Sequence, residues 1–320
     1  MRHLLSIEDL DRAGVERICE RARSFADVAR RDIKKVPTLR GRTVVNLFYE
    51  SSTRTSASFE LAAKRLSADL VSVKSAGSSV DKGESLKDTI ETLSALGPDA
   101  IVIRAPQAGA AKLITRWTDA AVINAGDGKH EHPTQALLDV HTLLERLGSL
   151  DGKRIWIVGD VLHSRVARSG IRAFTLMGAE VTVAGPPTLI PRGIERLGCT
   201  VRYSLDELGE ADVVYALRMQ RERMNDAFVP SLREYAINYQ LNPRRLGPRQ
   251  LVMHPGPVNR GVEMSAEAID GPNSLITAQV ASGLVVRMAV LYEVLAGGDR
   301  ERGGAERPGA PAPAPIGEPA

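Results

Sequence analysis

The chain has 320 residues, 43% apolar and 25% charged, which is long for one core, comfortable for two, and unlike a disordered or fibrous chain. A formal net charge of +3 and 4% aromatic residues supply neither the basic patch nor the stacking surface of a nucleic-acid binder. Cys19 and Cys199 share no spacing pattern, so neither a disulfide framework nor a zinc site is expected and a reducing cytoplasm fits. The first residues lack the apolar core of a signal peptide, and no run is expected to reach the ~18 apolar residues of a membrane span.

Short β-rich apolar runs alternate with helical patterns, the sequence form of an α/β protein with parallel sheets. Strands are expected at Arg42 to Phe48, Asp69 to Val73, Asp99 to Ile103 and Ala121 to Asn124. Helices are expected between them, over Thr55 to Leu66 and Leu86 to Leu96, where apolar residues recur at three- and four-residue spacing. A longer helix opens at Pro133, a residue suited to a first turn, and runs to about Leu147.

After the turn GSLDGK a second set begins, with strands at Arg154 to Val158, Glu180 to Ala184, Val201 to Tyr203, Asp212 to Leu217 and Leu251 to Met253. The last helix, roughly Ser274 to Leu295, is apolar over much of its surface and long enough to cross back over the molecule. Beyond it the composition turns to Gly, Pro and Ala, which reads as a disordered tail. The expected architecture is α/β with two domains, each a mostly parallel sheet flanked by helices and joined by long interdomain helices. The divisions are 1–149, 150–273, a returning helix over 274–297, and the tail 298–320.

The first strand ends in Phe48-Tyr49-Glu50-Ser51-Ser52-Thr53-Arg54-Thr55 and feeds a helix. A strand entering a helix N-terminus gathers backbone N–H groups and the positive dipole end at one point. The hydroxyls of Ser52, Thr53 and Thr55 and the forked guanidinium of Arg54 would complete an anion site without a glycine-rich loop. Read alone, the turn is equally a helix cap with spare hydroxyls. In full, F-x-x-x-S-T-R-T-S-x-S-F-E (Phe48 to Glu60) resembles the carbamoyl phosphate signature of the aspartate and ornithine transcarbamoylases.

That resemblance gives meaning to later segments that are bland by themselves. The polar loop 77–85 would be a surface loop. It is similar to the family's mobile loop, in which a serine (Ser79, or Ser78 in another register) and Lys82 reach the neighbouring subunit's active site. Arg104 ends the strand DAIVIR, where α/β sheets bind ligands, and matches the family arginine on phosphate and carbonyl oxygen. His130, Glu131 and His132 resemble a metal-ligand cluster in composition, but H-x-H needs a third ligand and Pro133 signals a helix start. H-P-T-Q-x-L-x-D, His132 to Asp139, matches the third family signature, with His132 donating to the carbonyl oxygen and Gln135 accepting from the carbamoyl NH₂.

In the second half, Gly159 is followed by Asp160 and Val161, so the dinucleotide spacing G-x-G-x-x-G is absent. Arg165 would be a solvated helix arginine without the resemblance; with it, Arg165 matches the arginine on aspartate carboxylates. Arg218-Met219-Gln220-Arg221-Glu222-Arg223 is similar to the family's aspartate loop, where Arg218 holds the side-chain carboxylate and Gln220 assists. His254 to Pro257 resembles the H-P-x-P turn whose carbonyls, at Gly256 and Pro257, accept from substrate N–H groups. The H-C-L-P form of the ornithine enzymes is absent, which favours aspartate.

The resemblance covers about residues 3 to 296. It implies an enzyme that joins carbamoyl phosphate to L-aspartate early in pyrimidine biosynthesis, with no metal and no organic cofactor. Arg54, Thr55, Arg104, His132 and Lys82 would be catalytic, and the assembly a homotrimer with shared sites. Association with a regulatory chain or a dihydroorotase stays open. A carbamoyltransferase for ornithine or another amine, and an inert structural homologue, are the alternatives.

Overall fold

The computed structural model describes residues 1–74, 83–220 and 228–296. Sheet one contains β1 (Thr43–Phe48), β2 (Asp69–Lys74), β3 (Ala100–Ala105) and β4 (Ala121–Asp127) in the order β2-β1-β3-β4. Sheet two contains β5 (Arg154–Val158), β6 (Glu180–Ala184), β7 (Cys199–Arg202), β8 (Val213–Ala216) and β9 (Leu251–Met253) in the order β7-β6-β5-β8-β9. All pairings between these strands are parallel. Parallel strands need crossovers that cover both faces, so β1, β3, β5 and β8 are apolar on both sides and buried almost throughout.

Each strand order contains one reversal: the chain leaves β1 for one side and returns to the other at β3, and it does the same around β5 and β8. Such a reversal opens a crevice at the carboxyl ends of the two central strands, where open α/β sheets bind ligands. Phe48 and Arg104 lie at one crevice, Val158 and Ala216 at the other.

Helices α2 (Thr53–Arg65), α5 (Pro133–Leu147), α6 (Arg165–Leu176) and α9 (Ile276–Leu295) join the halves, together with α1 (Arg12–Ala29). Helix α9 packs on α1, α2 and α5, and α5 packs on α6. One apolar core runs through this joint from Val44, Val102 and Ile123 of the first sheet to Ile155, Ile157 and Tyr215 of the second. Helices α3 (Leu86–Ser94) and α4 (Ala110–Ile114) cover the other face of sheet one, while α7 (Leu232–Tyr239) and α8 (Ala266–Ile269) belong to the second half.

Two expectations change. Helix α9 does have the length and hydropathy of a membrane span, but most of it is buried inside the protein. It reads as a core helix whose polar Gln279, Arg287 and Glu293 are also buried. The strand expected at Val201 to Tyr203 lies at Cys199–Arg202, leaving Tyr203 exposed. The tail 298–320 lies outside the described residues.

Candidate active site between the two sheets

Helix α2 begins directly after the loop that leaves β1. Its N-cap, Ser52, makes no side-chain cap hydrogen bond. The hydroxyl is thus not spent on capping, and the helix end still favours an anion. Arg54 lies against Gly256 from the other half of the chain. A Cβ at Gly256 would stand 3.0 Å from the Arg54 Cζ, and its φ of +64° is itself a glycine conformation. Buried Thr55 points to the His132 ring, with Oγ1 3.5 Å from Nε2.

His132 is the N-cap of α5 and likewise makes no side-chain cap bond. Its backbone N–H donates to the Ser169 hydroxyl of α6 at 2.7 Å, which fixes the start of the helix. Burial, then the cations Arg104, Arg165 and Arg287, push the imidazole well below its ordinary pKa, so the ring is neutral at pH 7. A neutral ring can donate one hydrogen bond to a carbonyl oxygen without adding a full charge. One turn on, the Gln135 amide donates to Asp139 at 3.0 Å. His130, Glu131 and His132 do not converge: His130 faces Asp127, and Glu131 accepts from the Ser6 hydroxyl at 2.6 Å and the Ile7 N–H at 2.9 Å.

Arg104, at the end of β3, and Arg165, opening α6, meet on one carboxylate. Glu50 Oε2 is 3.4 Å from the Arg104 Nε and 2.7 Å from an Arg165 terminal nitrogen. Arg165 also donates to the Gly128 carbonyl at 3.2 Å and passes over Gly126, where a Cβ would come within 2.9 Å of its Nε. Arg218 and Gln220 follow β8, and the Gln220 N–H donates to buried Asp160 at 3.3 Å. The turn at His254 is pinned from inside: its Nδ1 accepts from the Gly256 N–H at 2.8 Å, and its Nε2 lies 3.3 Å from Glu263.

One cavity of about 930 Å³ is lined by Ser52, Thr53, Arg54, Thr55, Arg104, His132 and Gln135 from the first half. Arg165, Arg218, Gln220, Gly256 and Pro257 line it from the second. Every anticipated site residue among those described therefore meets in one place. Ser78, Ser79 and Lys82 lie outside the described residues, as do Arg221, Glu222 and Arg223. Among the described residues no three of His, Cys, Asp or Glu converge as a metal cluster would.

The carbamoyl-P binding domain of the aspartate/ornithine carbamoyltransferases matches residues 2–145, and the Asp/Orn binding domain of the same family matches residues 151–294. The chain belongs to the aspartate/ornithine carbamoyltransferase family. It is 56% identical to the aspartate carbamoyltransferase catalytic subunit of Acidothermus cellulolyticus, over 99% of each chain. Its identity to the catalytic subunit of Mycolicibacterium smegmatis is 53%, over 94% of this chain and 98% of that one. Among solved structures it is similar to Trypanosoma cruzi aspartate transcarbamoylase in complex with N-(phosphonacetyl)-L-aspartic acid. The TM-score is 0.83 and the identity 32%, over 92% of this chain and 96% of that one. The catalytic subunit from M. jannaschii gives a TM-score of 0.82 at 34% identity, over 93% and 99%.

Within this carbamoyltransferase fold, four contributors were not anticipated from sequence: Glu50, Asp139, Gln279 and Arg287. Glu50 had a weak signal, an acid inside an otherwise anion-binding turn. Arg287 had a stronger one, a lone cation in the apolar run LVVRMAVL. It is buried, donates to the Ser58 hydroxyl and lies 5.2 Å over the Phe59 ring, and burial lowers it to about 10.

Proposed function

We propose that this chain transfers the carbamoyl group of carbamoyl phosphate to the amino group of L-aspartate, giving N-carbamoyl-L-aspartate and phosphate. The observation that carries this reading is the shared cavity. An uncapped helix N-terminus with Arg54 and Arg104 shares with Arg165 and Arg218 one space lined by a neutral His132. Such a set suits a phosphate beside a dicarboxylate, for both of which planar guanidinium forks are well matched.

The phosphate is held by Ser52, Thr53, Arg54, Thr55 and Arg104, with Ser79 and Lys82 added from a neighbour. The amine nitrogen attacks the carbamoyl carbon, the N–C bond forms and the C–O bond to phosphorus breaks. Negative charge grows on the carbonyl oxygen, where Thr55, Arg104 and His132 donate. Gln135 and the carbonyls of Gly256 and Pro257 accept from the N–H groups. The departing phosphate takes the amine proton, so the chain needs no nucleophile, and much of the acceleration comes from holding two anions in attack geometry. Lys82, Arg165, Arg218 and Gln220 bind the aspartate.

A homotrimer with shared sites, a cytoplasmic location and a place in pyrimidine synthesis belong to the same proposal. The test is product formation by the purified protein from carbamoyl phosphate with L-aspartate and, separately, L-ornithine. Carbamoylaspartate should form and citrulline should not; the reverse would assign the ornithine reaction. Arg218→Ala should raise the aspartate KM by roughly 10- to 10²-fold, as loss of a charge-assisted pair does, and an unchanged KM would remove its role.

A further inference from the structure

Beneath the carbamoyl end of the cavity lies Asp139, fully buried on α5. Three donors converge on it: the Gln135 amide at 3.0 Å and the Gln279 amide at 2.7 Å on Oδ1, and the Tyr215 hydroxyl at 2.8 Å on Oδ2. The donors come from α5, from α9 and from β8. Gln279 is held at both ends, because its own Oε1 accepts from the His254 N–H at 3.0 Å. That N–H opens the turn that ends in Gly256 and Pro257.

A side-chain amide has one donating and one accepting pole. With its NH₂ committed to Asp139, Gln135 must turn its oxygen toward the cavity, the pole a carbamoyl NH₂ needs. With its NH₂ on the same Asp139 oxygen, Gln279 must turn its oxygen to the His254 backbone. A rotated Gln135 would present NH₂ to NH₂ and repel the substrate while setting its own oxygen against Asp139 Oδ1, two acceptors with no proton between them.

Resting on the carbamoyl-transfer reading above, we propose that Asp139 is a positioning residue, an acceptor hub that fixes the amide orientation of Gln135 and anchors the 254–257 turn through Gln279. It thereby sets selectivity for the carbamoyl NH₂ from both halves of the chain. The Arg287 guanidinium on α9 acts on Asp139 electrostatically. Phe174 of α6 packs against the Tyr215 ring at 6.3 Å, so that side offers no competing donor.

The test compares two inhibitors of the purified enzyme, inorganic phosphate and phosphonoacetamide, which adds a carboxamide NH₂ to the anion. The readout is the ratio of their inhibition constants. Asp139→Ala should reduce the preference for phosphonoacetamide by about tenfold or more while phosphate inhibition stays within about twofold, the value of one well-placed hydrogen bond. Asp139→Asn, which restores an acceptor oxygen while the Tyr215 hydroxyl turns to accept, should recover the preference to within about threefold. In a Gln135→Ala background, Asp139→Ala should cost less preference than it does alone, leaving only the part carried through Gln279 and the 254–257 turn.

Equal weakening of both inhibitors would mean general loosening and would overturn the proposal. So would an unchanged ratio, an asparagine variant no better than alanine, or multiplicative losses in the double variant. If the alanine variant does not fold, Asp139→Ser replaces it, since its shorter hydroxyl cannot reach both amides, with the same outcomes required. A wild-type protein that neither binds phosphonoacetamide nor forms carbamoylaspartate would instead refute the proposed function.

Discussion

Arg54 stands where the local sequence and the tertiary structure agree. The hydroxyl-rich turn was legible because strand end, turn and helix start are neighbours in the chain, so the anion site is built within about one turn of helix. Removing the guanidinium should therefore cost roughly 10²–10³-fold in turnover with carbamoyl phosphate, the range for loss of a preorganised charge-stabilising donor. Steady-state kinetics of Arg54→Ala check this, and unchanged turnover would remove the phosphate assignment. Gly256 gives a subtler test of the same corner. A methyl group there meets the Arg54 Cζ at 3.0 Å and is strained at a φ of +64°. Gly256→Ala should raise the carbamoyl phosphate KM by about tenfold or more, consistent with a strain of order 1–3 kcal/mol. Glu50 shows the opposite case. Its partner Arg165 is 115 residues away, and no local pattern says that an acid beside a phosphate turn will clamp it.

At the level of elements, the strands read well. Those at Arg154–Val158, Glu180–Ala184 and Leu251–Met253 begin and end where their apolar runs do. The helix at Arg12–Ala29 was not anticipated, although Val15, Ile18, Cys19, Ala22 and Phe25 carry a helical spacing and are all buried. Helix α5 shows what sequence hides: Pro133 to Leu143 are all buried, polar residues included, because α6 and α9 pack on it as well as α1. In that setting burial pushes the Asp139 carboxyl up to about 7 despite its three donors. The folded protein then holds a proton that the unfolded chain, with a carboxyl near 3.9, releases earlier. Asp139 favours folding fully below about pH 4, and this contribution is lost as pH rises to about 7. Relative to Asp139→Asn, the wild-type Tm should fall by ~5 °C or more between pH 5 and 7 and then level off. A difference that stays flat across that window would show that the carboxyl titrates normally.

For the whole molecule, two parallel sheets with the same reversal of strand order place two crevices against one cavity. The groups proposed to bind phosphate and those proposed to bind the aspartate carboxylates are thus carried largely by separate sheets and meet when the halves pack through α5 and α9. The α/β class was legible in the alternation of elements. The packing of the halves was not, because it depends on contacts such as Arg54 with Gly256 that span two hundred residues.

The proposed function draws one part of its chemistry from a neighbour: Ser79 and Lys82, which lie outside the described residues and match the family loop that enters an adjacent site. If each site combines Arg54 of one subunit with Lys82 of the next, Arg54→Ala and Lys82→Ala chains are each inactive alone but complementary when mixed. In a three-membered ring containing both kinds, one interface pairs an intact Arg54 with an intact Lys82. Equal mixing places three quarters of the trimers in that class, so about one quarter of wild-type activity should return on reassembly. Mixing the two variants after dissociation, with mass in solution and carbamoylaspartate formation as readouts, measures this directly. Trimers that reassemble yet remain inactive would place both residues in the same subunit's site, and a monomeric mass with full wild-type activity would remove the shared site altogether.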